Sequence, residues 1–120
     1  MSNLPITIVQ LDSLRWNVLT PLKNARLSLK EDFLDKIVDF QMEKTAIAVF
    51  IEPQGHIVSV CLPVTVSQLL FHVKQCVQNT DDCVVWAGVQ RIEDTESNQR
   101  QWKLLGSDLP LPDYVVMLEE

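Results

Sequence analysis

The run AIAVFI at residues 46–51, the tetrapeptide EPQG at 52–55 and the run HIVSVCL at 56–62 decide the fold. Every residue of the first run is apolar, and its shortness and β-branching predict a strand that is central in its sheet and buried on both faces. Proline and glycine in the tetrapeptide are typical of a turn, and the third run predicts a returning strand. Together the three runs predict a β-hairpin.

The chain after the hairpin predicts one helix and two or three further strands. Pro63 ends the hairpin, and Thr65 or Ser67 can cap a helix that is expected over about residues 65–78. An apolar stripe at helical spacing supports this helix: Val66, Leu69, Leu70, Val73 and Val77. The remaining segments are strands at 83–89, 101–105 and 114–118, a polar stretch at 93–100, and an extended connector at 109–112.

The residues before the hairpin predict a strand followed by a long helix. The β-branched run at 6–11 is typical of a short strand. The pair Thr20-Pro21 supplies an N-cap and a first helical residue for an amphipathic helix that extends to about Met42. Ser28 with Glu31 also matches a capping box, so the helix could instead begin there. The apolar positions of the helix recur at steps of three and four residues: Leu22, Ala25, Leu29, Phe33, Ile37 and Phe40.

This order of elements predicts an α+β fold, in which a mostly antiparallel sheet carries two helices packed on one face. No linker is long enough to divide the chain, so residues 1–120 are expected to form a single domain. Within it, residues 1–44 are an N-terminal strand and helix segment, and residues 45–120 are a core of hairpin, helix and strands.

The run VVWAGVQRIED at residues 84–94 resembles a segment of ubiquitin, in which two apolar residues and an aromatic precede Ala-Gly and Glu-Asp follows. Residues 46–119 thus resemble ubiquitin-like (β-grasp) domains, with a hairpin, a helix opened by Thr65-Val66 and then this strand. The sequence ends in LEE at 118–120 and not in Gly-Gly, so covalent attachment to other proteins is not implied. An alternative is the roadblock and longin layout, in which the helix at 21–42 is integral. Both groups mostly serve as binding modules, which is what either resemblance implies for function.

Composition and charge narrow the classes of partner. The chain has 120 residues, 47% of them hydrophobic, and a formal net charge of −6. This apolar content excludes a disordered chain, and the lack of an unbroken apolar run of about 18 residues argues against a membrane partner. No cluster of Lys and Arg is present to neutralise phosphates, so no nucleic-acid partner is expected. The odd number of cysteines and the lack of a signal-peptide pattern predict a reducing, cytoplasmic location.

Histidine and cysteine are the strongest candidates for chemistry. His72 and Cys76 are four residues apart and share one face of the predicted helix, with Cys83, Cys61 and His56 as further candidate ligands. A zinc site or a thiol nucleophile needs such donors, so a small metal-dependent or thiol-based enzyme or regulator is the alternative function. No paired C-x-x-C, P-loop or dinucleotide motif accompanies them. The main interpretation is therefore not an enzyme, with no metal and no cofactor.

The acidic second half and two tryptophans point to a protein partner. Trp16 and Trp102 have polar neighbours on both sides, and Glu93 and Asp94 form an acidic pair. Exposed aromatic side chains are typical anchors of interfaces, so one or both tryptophans are candidate anchors, with partly buried packing as the favoured alternative. The chain is interpreted as a non-enzymatic protein-interaction module (a small subunit, adaptor or inhibitor) that binds another protein, with a basic partner suiting its acidic surface. A homodimer is a further hypothesis, because the strand at 46–51 and the long helix at 21–42 could need a second copy to cover them.

Overall fold

A computed structural model of the chain describes residues 4–27, 32–52, 55–106 and 108–120. Over these ranges the chain forms six strands, three α-helices and two short turns of 3-10 helix. In chain order the elements are β1 (Ile6–Thr7), α1 (Ile8–Asp12), 3-10 turns at Leu22–Asn24 and Phe33–Asp35, β2 (Val38–Asp39), β3 (Ala46–Glu52), β4 (His56–Cys61), α2 (Val66–Cys76), β5 (Val85–Arg91), α3 (Glu96–Leu104) and β6 (Tyr114–Glu119).

Strands β3 and β4 form the predicted hairpin, which is confirmed. They pair antiparallel, with Ile51 opposite His56 next to the turn. Gly55 donates its N–H to the carbonyl of Ile51 at 2.9 Å and has a φ of +79°, a left-handed conformation that glycine adopts without steric strain. Pro53 and Gln54 of the predicted turn lie outside the described residues.

The hairpin belongs to a four-stranded sheet with the order β4-β3-β6-β5. β3 is central, as predicted, and runs parallel to β6, whereas the β3–β4 and β5–β6 pairs are antiparallel. β1 and β2 form a separate two-stranded parallel sheet. The α+β class is thus confirmed, but the sheet is mixed, because the last strand enters its middle beside the first strand of the hairpin.

The two faces of β3 differ in burial, which corrects the expectation that the strand is buried on both. Ile47, Val49 and Ile51 point to one face and are at most 2% exposed, whereas Ala48 and Phe50 point to the other and are half-buried. We call these the inner face and the outer face of the sheet. The inner face carries the main hydrophobic core, to which β4 and β6 contribute Val60, Tyr114, Val116 and Leu118.

Helix α2 packs into the core of the inner face and confirms the helix predicted over about residues 65–78. The Thr65 hydroxyl accepts the N–H of Gln68 at 3.2 Å, and the Gln68 side chain accepts the N–H of Thr65 at 2.9 Å, which makes a capping box. The helix ends at Cys76 because Val77 has an extended backbone. Its buried side chains are those of the predicted stripe: Val66, Leu69, Leu70 and Val73.

The sequence expectation for residues 93–105 is wrong. The polar stretch and the short strand are instead one helix, α3, capped by Thr95, whose hydroxyl accepts the N–H of Asn98 at 3.1 Å. Because α3 buries only Trp102, it lacks the apolar stripe by which a helix is recognised. The Trp102 ring meets Phe50 edge-on with 5.1 Å between ring centroids, so α3 lies on the outer face. Helices therefore cover both faces of the sheet, and not one.

The strand expected at residues 6–11 is wrong beyond its first two residues. α1 begins directly after β1, because Thr7 and Gln10 form a second capping box. The Thr7 hydroxyl accepts the N–H of Gln10 at 3.2 Å, and the Gln10 side chain accepts the N–H of Thr7 at 2.9 Å. This cap starts a helix where β-branched residues favoured a strand.

The helix expected from Thr20-Pro21 to Met42 is also wrong over the described residues. Two isolated 3-10 turns and β2 occupy this part of the chain, and Asp32 and Gln41 have φ of +56° and +54°, which a right-handed helix excludes. The roadblock and longin alternative depended on this helix. Ser28, Leu29 and Glu31 lie outside the described residues. Several of the predicted apolar positions still reach the core without a helix: Ala25, Phe33 and Phe40.

The described part of residues 1–44 packs against the rest of the chain. On α2, Lys74 Nζ donates to the carbonyls of Val18 and Thr20 at 2.9 and 2.8 Å. On β5, the Trp86 indole donates to the carbonyl of Leu11 at 2.9 Å. Buried side chains from both parts lie in one hydrophobic cluster. The N-terminal segment is therefore part of the folded core, and it packs against the edge strand β5.

Candidate functional site

A cleft of about 660 Å³ lies between α3 and the connector of residues 108–113 that precedes β6. We call it the α3 cleft. Its wall is apolar over much of its length, through Ile92, Trp102, Leu109, Pro110, Leu111 and Pro112. The described part of the wall also carries three carboxylates and two ammonium groups, from Asp94, Asp108, Asp113, Lys44 and Lys103. These charges leave one negative charge without a counterpart on the wall, so the cleft suits a cationic group.

Trp102 joins the two sides of the cleft and is packed, which was the favoured alternative to an exposed anchor. Only 9% of the residue is exposed. Its indole Nε1 donates to the carbonyl of Leu109 at 2.6 Å, and its ring packs on Phe50. These two contacts join the helix, the connector and the outer face of the sheet. Trp102 lines the cleft, but it acts mainly by shaping it.

Asp113 fixes the other end of the connector. One carboxylate oxygen lies 2.7 Å from Lys44 Nζ, and the other accepts the N–H of Ala48 at 2.9 Å. The backbone of Asp113 also donates to the carbonyl of Ala48 at 2.8 Å. The carboxylate of Asp113 is therefore occupied by its own chain, and Asp94 and Asp108 are the acidic groups left to meet a ligand.

The predicted acidic pair lies at the start of α3. Asp94 lines the cleft and accepts a hydrogen bond from the side-chain amide of Gln99. Glu93 is exposed next to it, and its backbone carbonyl accepts the Asn98 side-chain amide at 2.8 Å. The Glu93 carboxylate thus adds negative charge near the cleft without lining it.

Trp16 lies apart from the cleft, and the structure shows it packed in the core and not as an exposed anchor. It is 3% exposed, and its carbonyl accepts the N–H of Trp86 at 2.9 Å at the outer edge of β5. Its indole Nε1 is buried and has no hydrogen-bond partner among the described residues. Its polar sequence neighbours do not make it exposed, because residues 15 and 17 point outward while Trp16 points into the core.

Three exposed leucines near the cleft were missed by the sequence analysis. Leu104 and Leu105 at the end of α3 are 85% and 74% exposed, and Leu109 on the connector is 58% exposed. The adjacent leucines were interpreted as part of a strand, in which one of them would be buried. Apolar side chains grouped at this exposure are typical of interaction surfaces.

The structure does not gather the candidate ligands into a metal site. Among the described residues, no group of three His, Cys, Asp or Glu side chains could hold a metal ion. His72 and Cys61 line a different groove, between α2 and β4. Burial raises the pKa of the Cys76 thiol above its ordinary value, which disfavours the reactive thiolate at neutral pH.

No family model, curated protein or solved structure matches this chain. Within the described ranges, none of the helices has the length and apolar character needed to cross a membrane. The convergence of Asp94 and Trp102 on one cleft is the strongest sign of a functional surface.

Proposed function

We propose that this chain is a non-enzymatic protein-interaction module that binds a basic segment of another protein in the α3 cleft. A small subunit, an adaptor or an inhibitor fits this description. The observation that carries the proposal is that Asp94 and Trp102, two residues singled out from the sequence as partner-binding, line one cleft together with Asp108. A cytoplasmic location belongs to the same proposal, and the free thiols of Cys61 and Cys76 support it.

Charge supports a basic partner. Asp94 and Asp108 line the cleft, and the exposed Glu93 is next to Asp94 in the sequence. The whole chain carries a net charge of −6, which steers a cationic segment towards it. A Lys or Arg side chain of the partner can place its aliphatic stem against the apolar wall and its charged end near the carboxylates.

Apolar contacts are expected to add to the attraction between the charges of the cleft and its partner. Leu109 lines the cleft, and the exposed Leu104 and Leu105 lie at the end of α3, between the cleft residues Lys103 and Gly106. A partner's apolar side chains can cover them. Burying apolar surface contributes about 25 cal/mol per Å², so even a small contact here adds usefully to an electrostatic attraction. The combination predicts a partner segment that is both basic and apolar.

We further infer that residues 46–119 form a β-grasp domain of the ubiquitin-like kind. The strand order β4-β3-β6-β5, with the parallel β3–β6 pair at its centre and α2 after the hairpin, supports this inference. The helix α3 and the residues before the hairpin are additions to such a domain. The α3 cleft is built by one of these additions.

The proposal is tested by quantitative affinity purification with the full chain as bait. A charge-reversed variant, Asp94→Lys with Asp108→Lys, and an apolar variant, Leu104→Ser with Leu105→Ser, are compared with wild type. The matched control reverses two carboxylates away from the cleft, Asp82→Lys with Glu120→Lys. We expect a partner that wild type and the control retain and that both cleft variants lose. If the cleft variants still bind every partner that wild type binds, the proposal is contradicted.

A further inference from the structure

The two edge strands of the four-stranded sheet, β4 and β5, differ in whether another segment of the chain pairs with them. The edge of β5 is covered by an extended segment, residues 16–18, through a bond from the Val18 N–H to the Val84 carbonyl at 2.7 Å and one from the Trp86 N–H to the Trp16 carbonyl at 2.9 Å. The outer edge of β4 has no strand beside it within the described ranges. As far as the structure describes the chain, residues 16–18 cover the β5 edge and no strand pairs with the β4 edge, which we call the open edge.

The hydrogen-bonding register shows which backbone groups face the open edge. Leu62 donates its N–H to the carbonyl of Thr45 at 2.8 Å, which makes these two residues a hydrogen-bonded pair. Bonded and non-bonded pairs alternate along an antiparallel ladder. Ile57, Ser59 and Cys61 therefore direct their N–H and carbonyl groups away from β3. These three residues present a row of backbone donors and acceptors to the outside.

Strand β4 lacks the devices that protect an open edge. Its sequence, HIVSVC at residues 56–61, contains no Lys, Asp, Glu or Pro. Natural edge strands are usually shielded from pairing by charges, prolines, bulges or a covering segment. An unprotected edge of six residues is therefore available to another extended chain.

A groove of about 560 Å³ runs beside this edge, between β4 and α2. We call it the α2 groove. Phe71 on α2 is 51% exposed and lines it, together with Leu22 and Pro63. Among the described residues, no acidic side chain and no Lys or Arg lines it, in contrast to the α3 cleft. A charged side chain placed here would lose hydration without a counter-charge, so the groove selects uncharged side chains.

From these observations we propose a second binding site, in which an extended, uncharged segment of a partner protein adds as a strand to β4. Its backbone pairs with Ile57, Ser59 and Cys61, and its alternate apolar side chains enter the α2 groove against Phe71. The segment on β5 shows the same mode of covering an edge within this chain. A second copy of the chain is a poorer occupant, because two copies with a net charge of −6 each repel one another.

The probe is a library of phage-displayed random peptides of about twelve residues, selected on the immobilised full chain. Peptides recovered are synthesised, and their affinities are measured by calorimetry against wild type and variants. Ser59→Pro removes an outward N–H that β3 does not use, and edge strands tolerate proline at such positions. Phe71→Ala removes the aromatic wall, and Ser59→Lys is a second edge variant that keeps the backbone donor but adds a charge. Leu105→Ala, at the exposed end of α3, is the control outside the α2 groove.

We expect the selected peptides to carry uncharged apolar residues at alternate positions. Their affinity is expected to fall about tenfold with Ser59→Pro, Ser59→Lys and Phe71→Ala, and to stay unchanged with Leu105→Ala. Amide hydrogen exchange of the bound protein then slows at Ile57, Ser59 and Cys61. Recovery of no such peptide, or of peptides insensitive to all three variants, overturns the proposal. A concentration-dependent dimer of wild type that Ser59→Lys abolishes also overturns it, in favour of pairing between copies.

Discussion

The indole N–H of Trp102 donates a hydrogen bond of 2.6 Å to the backbone carbonyl of Leu109. This bond crosses from α3 to the connector, and the same ring packs on Phe50 of the outer face. One side chain therefore holds together the helix, the connector and the sheet. The shape of the α3 cleft depends on Trp102, although little of that side chain is open to a partner.

Two substitutions of Trp102 separate its two contacts. Trp102→Phe keeps an aromatic ring near Phe50 and removes the N–H donor, so we expect the free energy of unfolding to fall by about 1 kcal/mol. Trp102→Ala removes the ring as well, and we expect a loss of about 3 kcal/mol. Urea unfolding followed by circular dichroism measures both values. Equal losses in the two variants would mean that the contact with Phe50 contributes nothing.

The close approach of Asp12 to Gly88 predicts an energetic coupling between α1 and β5. A β-carbon built on Gly88 collides with the carboxylate of Asp12, which accepts the N–H of Val89 at 3.1 Å. Gly88→Ala is therefore expected to displace that carboxylate and lower stability by about 1–2 kcal/mol. In an Asp12→Ala background the collision is gone, and the same substitution is expected to have a smaller effect. A double-mutant cycle by urea unfolding measures the coupling, and additive losses would contradict it.

The elements predicted correctly are those whose determinants are close together in the sequence. The hairpin needed only an apolar run, a turn and a returning run, and α2 needed Thr65, Gln68 and the stripe that follows. α3 was missed because Trp102 is its one buried side chain, so its sequence shows no periodicity. The short α1 was missed because a capping box at Thr7 outweighs the β-branched residues around it.

The candidate site could be predicted only in part from the sequence. Asp94 and Trp102 were chosen for their residue types, and both line the α3 cleft. Lys44 was not chosen, because nothing near it in sequence indicates that Asp113, 69 residues away, lies 2.7 Å from its ammonium group. Trp16 was chosen for its polar neighbours and is buried. Long-range contacts such as these follow from the order of strands in the sheet, which local patterns do not encode.

The two contacts of the Asp113 carboxylate, with Lys44 and with the N–H of Ala48, are expected to contribute differently to stability. Lys44→Met removes only the ion pair, whose lysine is 53% exposed, so we expect a change below about 1 kcal/mol that shrinks with added salt. Asp113→Ala also leaves the N–H of Ala48 without its acceptor, and we expect a loss of about 2 kcal/mol that salt does not remove. Urea unfolding at low and high salt tests this. A larger loss for Lys44→Met than for Asp113→Ala would contradict it.

Tyr114 predicts a decline in stability at alkaline pH. Burial raises its pKa above the ordinary value of 10.0, and its hydroxyl donates to the carbonyl of Phe40 at 2.6 Å. The folded-state pKa is the higher one, so this stabilisation is complete below about pH 10 and is lost as pH rises through the folded-state pKa. We expect Tyr114→Phe to lose about 1 kcal/mol at neutral pH and to show a weaker decline at alkaline pH than its parent.

The measurement is urea unfolding at pH steps from about 7 to about 11. The Tyr114→Phe variant and its parent both carry Cys76→Ala. Burial also raises the pKa of Cys76, which would make stability decline at alkaline pH in the same direction. Parallel stability curves for the two proteins would show that Tyr114 does not titrate differently in the folded and unfolded states.

The cysteines offer a direct test between the binding module and the thiol-based alternative at His72 and Cys76. Cys61 is exposed on the open edge of β4, whereas Cys76 is half-buried and burial raises its pKa. Because the thiolate is the reacting form, we expect Ellman's reagent at about pH 8 to modify Cys76 at least about tenfold more slowly than Cys61. Each is measured alone, with the other two cysteines replaced by serine. A Cys76 that reacts faster than Cys61, and slows with His72→Ala, would instead support an activated thiol.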